Sequence, residues 1–342
     1  MSRDELARHL HDLDDKNFWE VALQVFRYQA ANNLIYAEYL DLLRIDAAEV
    51  SCRTEIPYLP ISLFKTRDVR TGHWSAVRTF TSSGTSGDRT SQHPLRDEHW
   101  YRRGAADTFE RQYGPLEGRA VLALLPAYLE RTGSSLVFMA DDFIRRSKHP
   151  ASGFYLDDLE GLSARLKNLA TTQTPVLLLG VSFALLDLAE RFPQPLGDAI
   201  VMETGGMKGR RRELTRQELH ERLQTAFRVP QIHSEYGMTE LLSQAYAPSR
   251  GLFRPSPTLR VTPRDVTDPF SSAPLGRTAA LNLTDLANLD TVSFIASDDL
   301  GRVYADGTFE VLGRMDFSDI RGCNLLVGDG DHGVRRVPHE GK

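Results

Sequence analysis

A stretch of small hydroxylated residues and glycines, TFTSSGTSGDRTS at 79–91, has the composition of a loop that holds phosphate groups. Glycines permit a close approach of the backbone and positive φ angles, and successive backbone amides can surround an anion. A Ser/Gly-rich surface linker has a similar composition, but this stretch follows an apolar strand in an α/β pattern, where ligand-binding loops occur. The GxxxxGK[ST] pattern is absent. The residues that we assign to phosphate binding are Thr81, Ser82, Ser83, Gly84, Thr85, Ser86, Gly87, Arg89 and Thr90.

An alternation of apolar strands and amphipathic helices surrounds this loop and predicts an α/β domain with a largely parallel sheet. The predicted strands are 77–82, 120–126, 175–180 and 199–204, and the predicted helices are 96–112, 157–171, 181–192 and 215–227. Residues 1–50 have apolar side chains at helical spacing. The segment 56–67 contains two prolines and is predicted to be an extended connector.

Short strands with turns, including a hairpin signal at ADG, follow residue 255 and predict a β-rich subdomain. We therefore expect four parts in the chain. They are a helical N-terminal region with the connector (1–76), an α/β core (77–254), the β-rich subdomain (255–312) and a shortened hinge with a mobile tail (313–342).

The composition is that of an ordinary globular protein of 342 residues, of which 41% are hydrophobic and 25% charged. A net charge of −5 argues against a nucleic-acid or anionic-membrane partner, because both require a basic surface. No apolar run of about 18 residues predicts a membrane span, and the N-terminus is too polar for a signal peptide. Cys52 and Cys323 form no disulfide framework or metal motif, so we expect a cytoplasmic location.

Four segments resemble, in the same order, the motifs of the adenylate-forming enzymes, which include acyl-CoA synthetases, firefly luciferase and peptide-synthetase adenylation domains. The 79–91 loop is similar to their phosphate-binding loop, and ETGGMKG (203–209) is similar to the glycine segment beside adenine. HSEYGMTE (233–240) resembles the YGxTE motif, and SDDLGRVYADGTFEVLGRMD (297–316) resembles the stretch with a ribose-binding aspartate and the GRxD hinge. Four ordered motifs are more specific than one. They imply the adenylate-forming N-terminal-domain fold, with parallel and mixed sheets flanked by helices.

Both ends of the chain resemble the acyl-protein synthetases (LuxE-type), in the branch that includes phenylacetate-CoA ligases. IPYLPISLFKTRDV, which begins at Ile56, is similar to their PxxPxxxFK signature. The chain stops 26 residues after Asp316, so we expect the small C-terminal lid domain and its catalytic lysine to be missing. The resemblance implies that Cys323 accepts an acyl group as a thiolate nucleophile. The alternative for Cys323 is a small buried hydrophobic residue.

The resemblance also implies ATP and Mg²⁺ as cofactors and gives roles to residues of the YGMTE motif. Glu240 would bind Mg²⁺, since hard cations prefer carboxylate oxygens, although an acid at a helix start is an alternative. Thr239 would bind the α-phosphate. Tyr236 would stack on adenine, or else be an ordinary core tyrosine. The remaining residues that we assign to ATP in this part of the chain are Gly205, Gly206, Glu235 and Gly237.

Two further roles, binding of the ribose and replacement of the missing lysine, fall to residues outside this motif. Asp299 and Arg314 would contact the ribose, with Asp298 as a competing acid for that role. Lys65 is the candidate to replace the missing lysine, and Lys208 and Arg89 are the other candidates. A surface lysine is the simpler interpretation of Lys65.

Four residues would line a pocket for the acyl group, and all four suit a hydrophobic core equally well. An apolar lining favours a fatty or aryl acid over a polar amino acid. The residues are Tyr128, Val181, Phe183 and Met207.

The sequence is interpreted as an ATP-dependent ligase that activates a carboxylic acid as its acyl-adenylate, releasing pyrophosphate and then AMP. The acyl group would pass to a thiol, either Cys323 or that of a partner acyl-acceptor protein. One alternative is a stand-alone ligase that passes acyl-AMP to coenzyme A or a carrier protein. Another is a non-catalytic nucleotide- or acyl-binding subunit, which the lost lysine permits and the retained motifs disfavour.

Overall fold

The computed structural model describes residues 1–82, 89–125, 133–156, 158–205 and 214–315. The helices of this part of the chain are α1 (Arg3–His9), α2 (Phe18–Asn32), α3 (Leu34–Leu43), α4 (Glu98–Tyr113), α5 (Ser135–Ser147), α6 (Leu159–Thr171), α7 (Ser182–Arg191) and α8 (Arg216–Phe227). The strands are β1 (Leu59–Pro60), β2 (Arg78–Thr81), β3 (Gln92–Leu95), β4 (Ala120–Leu124), β5 (Gly153–Phe154), β6 (Val176–Val181), β7 (Ile200–Thr204), β8 (His233–Tyr236), β9 (Ala245–Ala247), β10 (Arg254–Pro255), β11 (Leu259–Arg264), β12 (Ala279–Asp285), β13 (Phe294–Val303) and β14 (Phe309–Arg314).

A seven-stranded sheet has the order β10-β9-β8-β7-β6-β4-β5. Its strands from β8 to β5 are parallel to their neighbours, and β9 and β10 add an antiparallel edge. Every residue of β4 (AVLAL) and β6 (VLLLGV) is buried, as expected for parallel strands that are covered on both faces. The predicted strands at 120–126, 175–180 and 199–204 and the four predicted helices are confirmed, with ends displaced by one or two residues. The predicted strand at 77–82 forms as β2, but it pairs antiparallel with β3 in a separate two-stranded sheet and is not part of the parallel sheet.

A second sheet contains β1, β13, β12 and β11 in that order, and β14 pairs with β13. The hairpin predicted at ADG is confirmed, because β13 and β14 are antiparallel neighbours and Gly307 between them has a φ of +81°. Helices α1–α3 share a hydrophobic core with this sheet. In that core, Phe26 packs edge-on against both Tyr36 and Phe294. The helical N-terminal region is therefore packed on the β-rich part of the chain.

The connector at 56–67 differs from the expectation of a wholly extended segment. Leu59–Pro60 pairs in parallel with β13 at Ile295–Ala296, and a 3-10 helix follows at Ile61–Lys65. Burial of Ile61 and Phe64 explains the turn, since a 3-10 helix directs both side chains into the core. In the two-stranded β2–β3 hairpin, β2 was predicted and β3 was not, because β3 begins directly after the polar loop.

Helix α5 was not predicted. Its sequence SLVFMADDFIRRS has an apolar face with Phe138, Met139 and Phe143 buried. The hydroxyl of Ser134 accepts a hydrogen bond from the Val137 amide and caps the helix. None of the helices in the described ranges is long and apolar enough to span a bilayer.

Candidate functional site

The carboxyl ends of four parallel strands form one edge of the seven-stranded sheet. The strands β4, β6, β7 and β8 end at this edge with Leu124, Val181, Thr204 and Tyr236. The chain passes from β4 to β5 in one direction along the sheet and from β6 to β7 in the other. Ligands of open α/β sheets bind outside the carboxyl ends of strands near such a change of direction. The predicted residues Gly205, Glu235 and Tyr236 all lie at this edge.

The base of the predicted phosphate loop is closed by two serines. The amide of Ser82 donates to the carbonyl oxygen of Ser91 at 3.1 Å, and the amide of Ser91 donates to the Ser82 hydroxyl at 2.9 Å. The Thr81 amide donates to the carbonyl oxygen of Gly133 at 2.8 Å, which joins the loop base to the start of α5. Arg89 is exposed and Thr90 is partly exposed. The predicted phosphate ligands Ser83, Gly84, Thr85, Ser86 and Gly87 lie outside the described residues.

Glu240 lies beside this loop base, and its side chain is only 7% exposed. Burial raises the pKa of its carboxyl group above the ordinary value, while a hydrogen bond from the Ser91 hydroxyl and the charge of Arg314 act in the opposite direction. The contact with Ser91 brings the predicted metal ligand to the base of the predicted phosphate loop, although about 150 residues of sequence separate them.

Two buried side chains that the sequence did not indicate hold the backbone around Glu240. The side-chain amide of Asn288 donates to the carbonyl oxygen of Glu240 at 2.8 Å. His93 lies 2.9 Å by its Nδ1 from the carbonyl oxygen of Thr239, and burial lowers the pKa of this histidine to about 4. The neutral ring must therefore donate from Nδ1, so Nε2 accepts from the Thr291 hydroxyl at 3.1 Å.

Tyr236, Asp299 and Arg314 form one hydrogen-bonded group. The Tyr236 hydroxyl donates to Asp299 Oδ2 at 2.8 Å, and Arg314 Nε donates to Asp299 Oδ1 at 3.1 Å. Asp299 and Arg314 are direct partners in the β13–β14 register, which fixes their approach. The Tyr236 ring is buried against Phe253 and Phe309. The sequence-predicted ribose acid therefore lies between the predicted adenine-binding tyrosine and the predicted arginine.

Asp298 and Lys65 lie near this group. Burial raises the pKa of Asp298, and the charges of Arg314 and Lys65 oppose that rise. Lys65 is exposed at the end of the 3-10 helix, so its amine is accessible while it lies close to the β13–β14 hairpin. The roles of Lys65 and of Asp298 stay predictions.

Gly205 is held by a buried polar cluster on β7, α7 and α8. Its φ is +67°, and its carbonyl oxygen accepts from the Ser182 hydroxyl at 2.7 Å. Ser182 also donates to the buried Glu203 at 3.2 Å. Burial opposes ionisation of Glu203, but His220 and Arg216 hold its pKa below the ordinary value. Arg216 also donates to the carbonyl oxygen of Val311 at 2.7 Å, so this cluster joins the end of β7 to β14.

Glu235 faces the opposite side of the sheet from Tyr236, because side chains alternate along a strand. Its carboxylate accepts a hydrogen bond from the hydroxyl of Thr204, its register partner on β7. Burial raises the pKa of Glu235 to about 7, and the charge of Glu203 adds to that rise. At neutral pH this carboxyl group is therefore partly protonated.

The raised pKa of Glu235 predicts a loss of stability as pH rises. Between the ordinary glutamate pKa and about 7, the folded state keeps a proton on Glu235 that the unfolded chain has released. The stability that this proton contributes is complete below the ordinary pKa and is lost as pH rises through about 7. Between pH 4.5 and 8, the free energy of unfolding of the wild type should fall by up to about 3 kcal/mol because of Glu235, and Glu235→Gln should lack this fall. Urea denaturation across this range measures it. Glu221→Gln, at an exposed position on α8, should retain the wild-type decline, and an equal decline in both variants would contradict the assignment.

The residues assigned to the acyl group and to the tail are only partly described. Val181 and Phe183 are buried at the start of α7, in the core of the α/β unit. Their acyl-binding role stays a prediction. Tyr128, Met207, Gly206, Lys208, Asp316 and Cys323 lie outside the described residues.

The donor set around Glu240 fits Mg²⁺ held together with a nucleotide. In the described ranges no basic side chain forms an ion pair with Glu240, and no cluster of three or more histidine, cysteine or acidic residues makes a complete metal cage. Mg²⁺ is commonly bound through one or two carboxylates together with substrate phosphates. A buried carboxylate at the base of a hydroxyl-rich loop supplies that arrangement, and a divalent ion would offset the cost of burying its charge.

The sequence matches no family model, and no curated protein is significantly similar to it. Solved structures are similar in fold. ATP-bound MatB from Rhodopseudomonas palustris aligns with a TM-score of 0.53 and 15% identity over 69% of this chain and 47% of that chain. This chain therefore spans about half the length of MatB.

A longer alignment is found with 2-hydroxyisobutyryl-CoA ligase. Its complex with 2-HIB-AMP in the postadenylation state has a TM-score of 0.65 and 12% identity, over 87% of this chain and 68% of that chain. The complex with 2-HIB-AMP and CoA in the thioesterification state has a TM-score of 0.64 and 14% identity, over 89% and 68%. The predicted fold class is confirmed, because the mixed α/β architecture is that of the adenylate-forming fold.

Proposed function

We propose that this protein activates a carboxylic acid with ATP, forming an acyl-adenylate and pyrophosphate. The observation that carries the proposal is the contact between Ser91 and Glu240, which brings a buried carboxylate to the base of the hydroxyl-rich loop. Asp299 and Arg314 lie close enough to Glu240 to influence its pKa. Phosphate, metal and ribose ligands would thus converge on one edge of the sheet.

The residues have separate tasks in this reaction. Asp299 accepts hydrogen bonds from ribose hydroxyls, and the loop hydroxyls and amides donate to the phosphates. An oxygen of the acid attacks the α-phosphorus, the bond to the β-phosphate oxygen breaks, and pyrophosphate leaves. Glu240 would hold Mg²⁺, which offsets negative charge on the phosphates when bound. His93 and Asn288 fix the backbone around Thr239 and Glu240, so these ligands need little reorganisation.

The acceptor of the acyl group is the second part of the proposal. A thiolate attacks the carbonyl carbon and AMP leaves, which gives a thioester. Cys323 is the acceptor in the LuxE-type scheme, and coenzyme A or a carrier protein is the acceptor in a stand-alone ligase. The neighbouring Arg321 would favour the thiolate form of Cys323.

Acid-dependent exchange of labelled pyrophosphate into ATP tests the proposed activation step. A panel of aliphatic, aryl and amino acids should contain members that increase the exchange rate well above the rate without acid. Exchange also needs no acceptor thiol, so it does not depend on the fate of the acyl group. No exchange with any acid, together with measurable ATP binding, would instead favour a nucleotide-binding subunit without activity.

Asp299→Asn is expected to weaken ATP binding about 10- to 100-fold, because hydrogen bonds to a charged acceptor contribute about 1.5–3 kcal/mol. The substitution also leaves Arg314 without its anionic partner. The KM for ATP in the exchange reaction and the Kd by calorimetry both measure this change.

Tyr236→Phe is the matched control for Asp299→Asn. It retains the aromatic ring and removes only the hydroxyl that donates to Asp299, so its effect should be several-fold smaller. A change in the KM for the acid, with the KM for ATP unaltered in Asp299→Asn, would contradict the ribose role.

A further inference from the structure

Two buried polar side chains on the α4 side of the sheet lack the partners that such groups normally have. Glu235 is 9% exposed and Gln244 is 3% exposed. In the described part of the chain, no basic residue pairs with Glu235, and the Oε1 atom of Gln244 has no hydrogen-bond partner. A buried carboxylate without a cationic partner and a buried amide oxygen without a donor are both costly, so each needs an explanation.

Both side chains lie around Gly237, the residue that follows Tyr236 at the carboxyl end of β8. A Cβ atom at this glycine would stand 2.5 Å from Glu235 Oε1 and 3.8 Å from Gln244 Cγ. Gly237 itself is exposed. Both side chains therefore lie next to an accessible residue of the edge.

In the described part of the chain, neighbouring residues contact both side chains. Thr204 donates to one oxygen of Glu235. The Gln244 amide nitrogen lies 3.4 Å from both the Tyr101 hydroxyl and the Leu242 carbonyl oxygen, at the long limit for hydrogen bonds. The Tyr101 hydroxyl donates to the carbonyl oxygen of Ser135 at the start of α5, so it is not available to Glu235.

The nucleotide residues lie on the other side of β8. Tyr236 joins Asp299 and Arg314 there, and side chains of neighbouring strand residues point to opposite faces. A ligand that is bound by its nucleotide on the Tyr236 side and extends from the α-phosphate across Gly237 would place its other end beside Glu235. In the proposed reaction that part is the acid.

We propose that Glu235 and Gln244 form a polar end of the acid-binding pocket and select an acid whose body carries a hydrogen-bond donor, either a hydroxyl or an ammonium group. This inference rests on the proposed function and narrows its substrate class. It gives Glu235 a role toward the acid in place of ATP. An apolar lining of the rest of the pocket is compatible with it, since a hydroxylated or aminated aliphatic or aryl acid has both features. Burial favours the uncharged acid form of Glu235, and an approaching ammonium group would favour the carboxylate.

The test uses acids in matched sets that differ at one carbon by a methyl, a hydroxyl or an ammonium group. Pyrophosphate exchange gives kcat/KM for each acid, and calorimetry gives the Kd of the corresponding non-hydrolysable acyl-sulfamoyl adenosines. The wild type should prefer a donor-bearing member over its methyl counterpart by at least about tenfold in both measurements, because a site built for a donor rejects an analogue without one.

Three variants assign the preference to this site. Glu235→Met has no acceptor and should reduce the preference to less than about twofold. Glu235→Gln keeps a neutral acceptor, so it should retain much of the preference for a hydroxyl acid but lose that for an ammonium acid. Ser234→Ala, on the opposite face of β8, should keep the wild-type preference.

Equal or tighter binding of the methyl members by the wild type would overturn the inference, as would an unchanged preference in Glu235→Met. Absence of exchange with every acid would count against the proposed function alone, because binding of the adenosine analogues still measures the preference. Absence of binding by every analogue would overturn both.

Discussion

Glu240→Gln is expected to reduce Mg²⁺-dependent pyrophosphate exchange by about 100-fold or more. A neutral amide is a poor ligand for a hard cation, and this position is buried, so solvent cannot replace the lost charge. Raising the Mg²⁺ concentration should restore only part of the activity. Initial exchange rates as a function of Mg²⁺, at saturating ATP and acid, measure the effect.

The pH dependence of the wild type gives a second readout of Glu240. Burial raises the pKa of this carboxyl group, and a metal binds only its deprotonated form, so protons compete with Mg²⁺. The apparent affinity for Mg²⁺ should therefore increase as pH rises through that pKa and then level off. In Glu240→Gln this part of the pH dependence should be absent.

Ser91→Ala separates the metal role from a structural one. It keeps the carboxylate and removes the hydroxyl that donates to it, so its loss of exchange should be much smaller than that of Glu240→Gln. Glu117→Gln, at an exposed position, should behave as the wild type. An exchange rate within about twofold of wild type in Glu240→Gln would contradict the metal-binding role and leave Glu240 with a structural role only.

Cys323→Ala is expected to abolish a covalent acyl adduct and leave pyrophosphate exchange intact. Activation precedes transfer in the proposed sequence of steps, so only the second step needs the thiol. Incubation of the wild type with ATP, Mg²⁺ and an activated acid should give an adduct on Cys323 that hydroxylamine removes. Peptide mass spectrometry identifies the modified residue.

The rate of adduct formation should rise with pH through the thiol pKa, because the thiolate is the attacking species. Cys52→Ala is the matched control, since Cys52 is exposed and has no proposed role. It should form the adduct at the wild-type rate. An adduct on Cys52, or none in the wild type, would leave coenzyme A or a carrier thiol as the acceptor.

Local patterns in the sequence predicted the parallel core well. The runs AVLAL and VLLLGV are apolar throughout, as strands covered on both faces must be, and the helices between them have clear periodicity. The order of the motifs indicated that Glu240, Asp299 and Arg314 would serve one site, and the structure brings these residues together.

The supporting contacts could not be predicted, because they depend on packing between distant segments. Nothing near His93 or Asn288 in the sequence indicates that these side chains hold the backbone of Thr239 and Glu240. Strand periodicity does predict that Glu235 and Tyr236 face opposite sides of β8. It does not tell which side faces α4 or that Gln244 lies there.

The association of α1–α3 with the second sheet has the same cause. Apolar spacing identifies the buried face of a helix but not the surface that covers it. Phe26 and Tyr36 pack against Phe294, which is more than 250 residues away in the sequence.

The fate of a carboxylate oxygen tests the central claim of acyl-adenylate formation most directly. When an acid labelled with ¹⁸O in its carboxylate is incubated with ATP, Mg²⁺ and hydroxylamine as the acyl acceptor, the AMP released should carry one ¹⁸O atom. The labelled oxygen attacks the α-phosphorus and stays on it when hydroxylamine takes the acyl group. Mass spectrometry that finds unlabelled AMP beside the hydroxamate, or finds the label in orthophosphate, would contradict activation through an acyl-adenylate.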